Sequence, residues 1–207
     1  MRLQAALEGQ LLATASALPE IKAGETWKGE LKMQIKEPDL WNPEHPNLYG
    51  LRVSLYADDQ QQEQLFRKVG FREIQVQGNR VLLNGKPLKL RGVCRHEAHP
   101  LLGRSLTDEQ WRKDAELYRA ANCNFIRTSH YPPAEEFISY CDELGLLVEL
   151  ESPVCWVGHH ANENWQRLNY QDPKYYDYVL QANMETIHFY RNHPSVLFWS
   201  MANESYW

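Results

Sequence analysis

The apolar run Val196-Leu197-Phe198-Trp199-Ser200-Met201-Ala202 ends in an amide and a carboxylate, Asn203 and Glu204. Asn192-His193-Pro194-Ser195 bounds it upstream, and Pro194 ends any helix before it, so the run reads as a strand buried on both faces. In a parallel α/β fold the C-terminal ends of the strands face the crevice or barrel mouth where reactive groups gather. Glu204 therefore stands where a catalytic acid is useful, the alternative being a strand-terminating carboxylate in solvent. Similar residues close the other apolar segments: Arg95, His96 and Glu97; Arg127 and His130; and Glu151. Together they can hold a hydroxyl-rich ligand by charge-assisted and bidentate hydrogen bonds, with the indole of Trp156 or Trp207 stacking on a sugar face. Each has a structural alternative. Arg127 and Glu151 can be a buried ion pair, His96 and His130 can be satisfied core histidines, and the two tryptophans can be packing residues.

Composition narrows the class. The 207 residues are enough for one large or two small domains. The net charge of −5 is spread along the chain without a basic cluster, which argues against nucleic acid as a partner. No apolar run approaches the roughly 20 residues of a membrane span, and the N-terminus lacks a signal-peptide core. A soluble, cytoplasmic protein with no membrane partner is the expectation. Cys94, Cys123, Cys141 and Cys155 are widely spaced beside apolar residues and form no CxxC pair, so buried reduced thiols are expected. His159-His160 has no periodic ligand partner and reads as a solvated or substrate-facing loop, so neither metal nor cofactor is expected.

The elements that must position these groups divide the chain near residue 78. Residues 1–77 contain no convincing helix, and Leu31-Lys32-Met33-Gln34-Ile35 and Leu51-Arg52-Val53-Ser54-Leu55-Tyr56 alternate as half-buried antiparallel strands do. Between them lies a segment with three prolines, anchored by Trp41 and Tyr49, and Asp58-Asp59 turns the chain toward a strand ending at Val69. This is a β-sandwich, or part of one. Asn84-Gly85 then suits a type I′ hairpin turn.

From residue 78 to 207 strands alternate with helices. Strands are expected at 88–93, 124–130, 146–151 and 196–201. Thr107-Asp108-Glu109-Gln110 opens a helix by a capping box, with Trp111, Ala115 and Tyr118 on one stripe. Pro132-Pro133 starts a second with Phe137, Tyr140, Cys141 and Leu144 inward, ended by Gly145 at C′. A third runs from about Lys174 to Asn192 with Tyr175, Val179, Ala182 and Phe189 at helical spacing. This alternation implies an α/β fold with a parallel sheet and right-handed crossovers. Four such units are half of a (β/α)8 TIM barrel, which takes about 250 residues when whole.

These residues resemble glycoside hydrolase family 2, the β-galactosidase and β-glucuronidase family. Leu40-Trp41-Asn42-Pro43-Glu44-His45-Pro46-Asn47-Leu48-Tyr49 is similar to its immunoglobulin-like domain signature, and Gly70-Phe71-Arg72 with Leu83-Asn84-Gly85-Lys86-Pro87 to its junction with the barrel. Arg91-Gly92-Val93 through Arg95-His96-Glu97 and His99-Pro100, then Ile126-Arg127-Thr128-Ser129-His130-Tyr131-Pro132, resemble its first two barrel strands. Asn192-His193-Pro194-Ser195 with Trp199 and Asn203-Glu204-Ser205 resembles its acid/base strand. The resemblance implies a partial immunoglobulin-like domain over 1–77 and the first half of the catalytic barrel over 78–207. It further implies a retaining β-glycosidase in which Glu204 is the general acid/base and Asn203 bonds the sugar 2-hydroxyl, with His96, Arg127 and His130 lining the sugar subsite. From their place past the third strand, Glu151 and Trp156 join them as candidate substrate-binding residues. The partner is then a β-linked oligosaccharide or glycoside.

A retaining enzyme also needs a carboxylate nucleophile about 5 Å from the acid/base. In the family that nucleophile ends the seventh barrel strand, so a fragment of a longer enzyme, inactive by itself, is the expectation, with exposed edge strands that favour homo-oligomers or aggregates. Glu151-Ser152-Pro153-Val154-Cys155-Trp156 does not reproduce the metal-binding acidic and histidine pair of some β-galactosidases, and no metal is carried over. Arg95-His96-Glu97 with His99-Pro100 leans toward β-galactosidase. Pro132-Pro133-Ala134-Glu135-Glu136 and Ala202-Asn203-Glu204 lean toward β-glucuronidase, with β-mannosidase weaker and a non-catalytic carbohydrate-binding fragment the alternative of another class.

Overall fold

The computed structural model describes residues 1–16, 18–157 and 173–205. His159, His160 and Trp207 lie outside them, as does most of the loop expected to shape substrate choice. The chain divides into two compact units: Met1–Asp39 with Asn47–Phe71, and Leu40–Pro46 with Arg72–Trp207.

In the first unit, β1 (Arg2–Leu7), β2 (Gln10–Ser16), β3 (Tyr49–Ala57) and β4 (Gln60–Val69) form one antiparallel sheet in the order β2-β1-β3-β4. Both of its hairpins turn on two residues with positive φ, Glu8-Gly9 and Asp58-Asp59. That backbone matches the twist of the flanking strands. The alternating segment 31–35 is not a strand. β3 already has β1 on one side and β4 on the other, so no ladder is left beside it for this segment, and the alternation leaves only Leu31 and Ile35 half-buried.

In the second unit, β5 (Ile74–Gln77), β6 (Arg80–Leu83) and β7 (Lys86–Pro87) make a small antiparallel sheet. Its turn, Asn84 at φ 52° and Gly85 at φ 75°, is the expected primed hairpin. Then follow β8 (Gly92–Arg95), α1 (Asp108–Ala120), β9 (Phe125–Thr128), α2 (Glu135–Leu144), β10 (Leu147–Glu151), α3 (Pro173–Tyr190) and β11 (Val196–Ser200). The four strands are parallel in the order β11-β10-β9-β8. β8 starts later than the expected 88–93, because the Asn124 side chain takes the Arg91 amide at 2.7 Å and the Lys89 carbonyl at 3.0 Å, replacing a ladder over those residues. The β10–β11 register shifts by one: Val148 pairs with Val196 but Glu149 with Phe198, so Leu197 is an extra residue.

The core between sheet and helices contains Ala115, Ile126, Phe137, Ile138, Cys141, Leu146, Val148, Leu150, Tyr190 and Val196, with Trp111, Tyr118, Tyr140, Leu144 and Trp199 packed on it. The stripes expected on α1 and α2 are thus the buried ones. On α3 the inward residues are Val179, with Tyr175 and Ala182 packed near it, and Tyr190; Phe189 is exposed instead, since one residue's advance turns the face by about 100°. Trp41 is fully buried here, donating its indole N–H to the Asp142 carbonyl at 2.8 Å. The Asp142 carboxylate, itself buried, accepts from the Ser195 amide at 2.9 Å and binds His193 Nδ1 at 2.6 Å, tying α2 to the turn before β11. The guanidinium of Arg72 reaches the carbonyls of Pro194 and Val196; burial lowers its pKa, opposed by the Asp142 charge.

The chain leaves α2 through Gly145 in the left-handed region at φ 71°, where an added Cβ would lie 2.3 Å from the Pro43 carbonyl oxygen. Gly145→Ala is expected to lower stability by about 2–4 kcal/mol in urea unfolding. Gly78→Ala, at φ 60° with open space around it, loses only about 1 kcal/mol. Tyr190 donates its hydroxyl to the Pro133 carbonyl at 2.5 Å. Its pKa is pushed up to about 12 by burial and then by the charges of Glu135, Glu97 and Glu136. The folded value exceeds the unfolded one of about 10, so the contribution is complete below pH 10 and is lost as the pH climbs toward 12. Stability measured across that range should fall more steeply for the wild type than for Tyr190→Phe, by about 2–3 kcal/mol in total.

Candidate functional site at the strand ends

Parallel pairing puts the C-terminal ends of β8 to β11 along one edge, and most of the residues singled out from the sequence meet there. Glu151, last in β10, has no solvent exposure. Its Oε2 accepts from Arg127 Nε at 2.8 Å, from a second Arg127 nitrogen, and from Ser200 Oγ at 2.7 Å. Its Oε1 binds His130 Nδ1 at 2.6 Å, and its amide donates to Thr128 Oγ1 at 3.0 Å. The ion-pair reading of Arg127 and Glu151 is therefore the observed one. Glu151, a candidate substrate-binding residue, is thus enclosed by these partners.

Arg127 is half-buried and carries the contact onward. Its Nη2 donates to Asn203 Oδ1 at 3.0 Å. Burial lowers the Arg127 pKa, but the hydrogen bond and charge of Glu151 outweigh it and the net shift is upward. Glu149, 3.9 Å from Arg127 Nε, has its carboxyl pKa raised, chiefly by burial, against the pull of Arg127 and with the repulsion of Glu151.

Asn203 is 6% exposed and is fixed by its backbone as well: its amide donates to the Val154 carbonyl and its carbonyl accepts from the Trp156 amide, each at 2.9 Å. The next residue, Glu204, has φ 42° and is exposed, and its Oε2 accepts from the indole N–H of Trp156 at 2.7 Å. Trp156 is 46% exposed. His96 is exposed and meets the half-buried His130 edge-on, ring centroids 5.1 Å apart. Neither histidine is a core residue.

Arg95 does not join the group. It is 3% exposed and turned into the unit, donating to Asp114 at 3.1 and 2.8 Å and to Glu97 at 3.2 Å, with its guanidinium 3.8 Å from the Phe137 ring centre. Alternation along β8 explains this, since Cys94 and Arg95 must face opposite sides of the sheet. Cys94 is accordingly exposed and Cys123 and Cys155 only partly buried, against the expectation of four buried thiols; all four are free. Cys141 is buried, which pushes its pKa well up. Ser200 and Thr128 escaped the sequence reading. The parallel register, which sets Ser200 opposite Glu151, is the signal that finds the first. Among the described residues no group of three or more His, Cys, Asp or Glu side chains could hold a metal ion, and no helix is long and apolar enough to cross a membrane.

Residues 74–207 match the family described as glycosyl hydrolases family 2, TIM barrel domain, and residues 4–72 match glycosyl hydrolases family 2. The chain belongs to glycoside hydrolase family 2. Among family members, a putative beta-glucuronidase of Formosa agariphila is 38% identical over 204 residues, 97% of this chain and 23% of that protein. A beta-galactosidase of Vibrio vulnificus is 36% identical over 184 residues, 87% of this chain and 17% of that one. The chain thus spans less than a quarter of either relative. Among solved structures, the β-glucuronidase of Ruminococcus gnavus in complex with D-glucaro 1,5-lactone superposes with a TM-score of 0.81 at 28% identity, over 99% of this chain and 33% of that one. The GH2 beta-galacturonidase of Eisenbergiella tayi bound to galacturonate gives 0.80 at 30% identity, over 96% and 34%. Family membership carries the expected architecture, an immunoglobulin-like domain followed by barrel strands.

Breaking the Arg127–Glu151 contact from the carboxylate side leaves a partly buried cation with only the longer contact to Glu149. Glu151→Ala is expected to lose about 3–5 kcal/mol in urea unfolding, while Glu149→Ala, on a longer and more exposed contact, loses less than about 1 kcal/mol.

Proposed function

We propose that this chain supplies the acid/base side of a retaining β-glycosidase site. The observation that carries the reading is the convergence of Arg127, His130, Asn203 and Glu204 on one edge of a parallel sheet, in a chain that belongs to glycoside hydrolase family 2. Glu204 is the general acid that protonates the glycosidic oxygen, and after the leaving group departs it is the general base that activates water. Its exposed position agrees with a role that exchanges protons with a leaving group and then with solvent. Asn203 bonds the sugar 2-hydroxyl, and His96, Arg127 and His130 line the subsite. Trp156 borders the same mouth with its N–H on Glu204, and its indole is the candidate platform for a sugar face. The second carboxylate, on a later barrel strand, attacks the anomeric carbon.

The substrate is a β-linked glycoside. Arg95-His96-Glu97 with His99-Pro100 favours a β-galactoside, and the Vibrio vulnificus relative carries that name. A β-glucuronide is the second reading. It is favoured by the 38% identity to the Formosa agariphila protein and by likeness to structures holding uronic ligands.

In the full-length protein, Glu204→Gln is expected to lower kcat on 4-nitrophenyl β-glycosides by about 10²–10⁴. Azide should restore part of the rate of Glu204→Ala, because an anionic nucleophile needs no general base. A rate within about threefold of wild type would overturn the assignment. The ratio of kcat/KM on the β-galactoside to that on the β-glucuronide decides the sugar.

A further inference from the structure

Glu151 is the most enclosed charge at the strand ends, and it binds two of the residues assigned to the sugar subsite, Arg127 and His130. Three donors from two neighbouring strands end on its oxygens: Arg127 and His130, on and just past β9, and Ser200 on β11. Because Oε2 accepts from Arg127 through two nitrogens, the guanidinium plane is fixed. With that plane fixed, Nη2 is left aimed at Asn203 Oδ1 at 3.0 Å. An Asn amide can flip, and which end faces the ligand is set by what its two ends bond to. Here a cation caps the oxygen, so Oδ1 faces Arg127 and Nδ2 is the donating end, giving one hydrogen to Cys155 Sγ at 3.4 Å and keeping the second for a ligand. The same carboxylate acts on His130. A carboxylate at Nδ1 requires a proton there, which orients the ring and leaves Nε2 for the ligand.

We infer that Glu151 is a positioning residue, which fixes Arg127 and through it the amide of Asn203, so that the site reads the sugar 2-position as a hydrogen-bond acceptor. This rests on the glycosidase reading above and deepens it. Glu151 touches no substrate. Its effect passes through Arg127 to Asn203, and its loss acts most on the one hydroxyl that Asn203 reads.

The test compares kcat/KM for a 4-nitrophenyl β-glycoside and its 2-deoxy analogue, in the full-length protein and in Glu151→Gln, which keeps the shape and removes the charge. The wild-type preference for the 2-hydroxy substrate, corrected for the intrinsic reactivity of the two glycosides, is expected to fall by about tenfold or more in Glu151→Gln. A purely structural role would lower both substrates together and leave the ratio within about twofold, which would overturn the inference. Arg127→Lys keeps a cation beside Glu151 but lacks the second nitrogen that reaches Asn203, and it should show the same collapse of the ratio. It decides the matter if Glu151→Gln does not fold, as judged by circular dichroism. Glu151→Asp, too short to hold all three partners, should fall between wild type and Glu151→Gln. Hydrolysis of the 2-hydroxy substrate by wild type, lost in Glu204→Gln, tests the glycosidase reading itself, so the two claims fail separately.

Discussion

Strands hydrogen-bonded in parallel can be joined only by chain that crosses back over the sheet, and each crossover here is a helix. Everything else in the second unit follows from that constraint. Every strand ends on the same edge, so side chains as far apart in sequence as Arg127 and Asn203, 76 residues, are brought within hydrogen-bond reach without any loop having to place them. Arg127, Glu151 and Asn203 come from three successive strands or their ends, and their contacts run across the ladder direction. The helices meanwhile bury one face of the sheet under an apolar core, leaving the other face for charge.

That division of faces is held in place by contacts away from the site. Asp142 on α2 binds the turn before β11 through its carboxylate and Trp41 through its backbone, while Arg119 on α1 donates to the Pro43 carbonyl at 2.7 Å. The short segment Leu40–Pro46 thus packs as part of the second unit although the residues on both sides of it in sequence belong to the first. Its two prolines, Pro43 and Pro46, which forbid a ladder, suit a segment fixed by side chains and isolated carbonyls.

Much of this was legible in the residues. The capping box at Thr107, the glycine at the end of α2 and the Asn84-Gly85 turn are local chemistry, and local chemistry is written in adjacent positions. The convergence of the strand ends was legible too, because alternation of strands and helices dictates it. What could not be read was whichever property needs a neighbour. The 31–35 segment alternates well enough, but a strand exists only beside another. Glu151 was placed at the correct end of the correct strand, yet sequence says nothing about whether a carboxylate faces water or is enclosed by an arginine, a histidine and a serine. Ser200 stood within an apolar run with nothing to single it out, since a hydroxyl gains meaning only from what lies across the ladder.

The extra residue Leu197 in β11 sets the phase of everything after it. Before the shift, Val196 lies beside Val148 on the core side; after it, Phe198 lies beside Glu149, Trp199 beside Leu150 and Ser200 beside Glu151. Had the strand continued without that insertion, its period of two would have carried Ser200 to the helices and an indole against the carboxylate. Arg72 holds the carbonyls of Pro194 and Val196, at the start of the strand and immediately before the shift. The chemistry at one end of β11 therefore depends on a single inserted residue near the other.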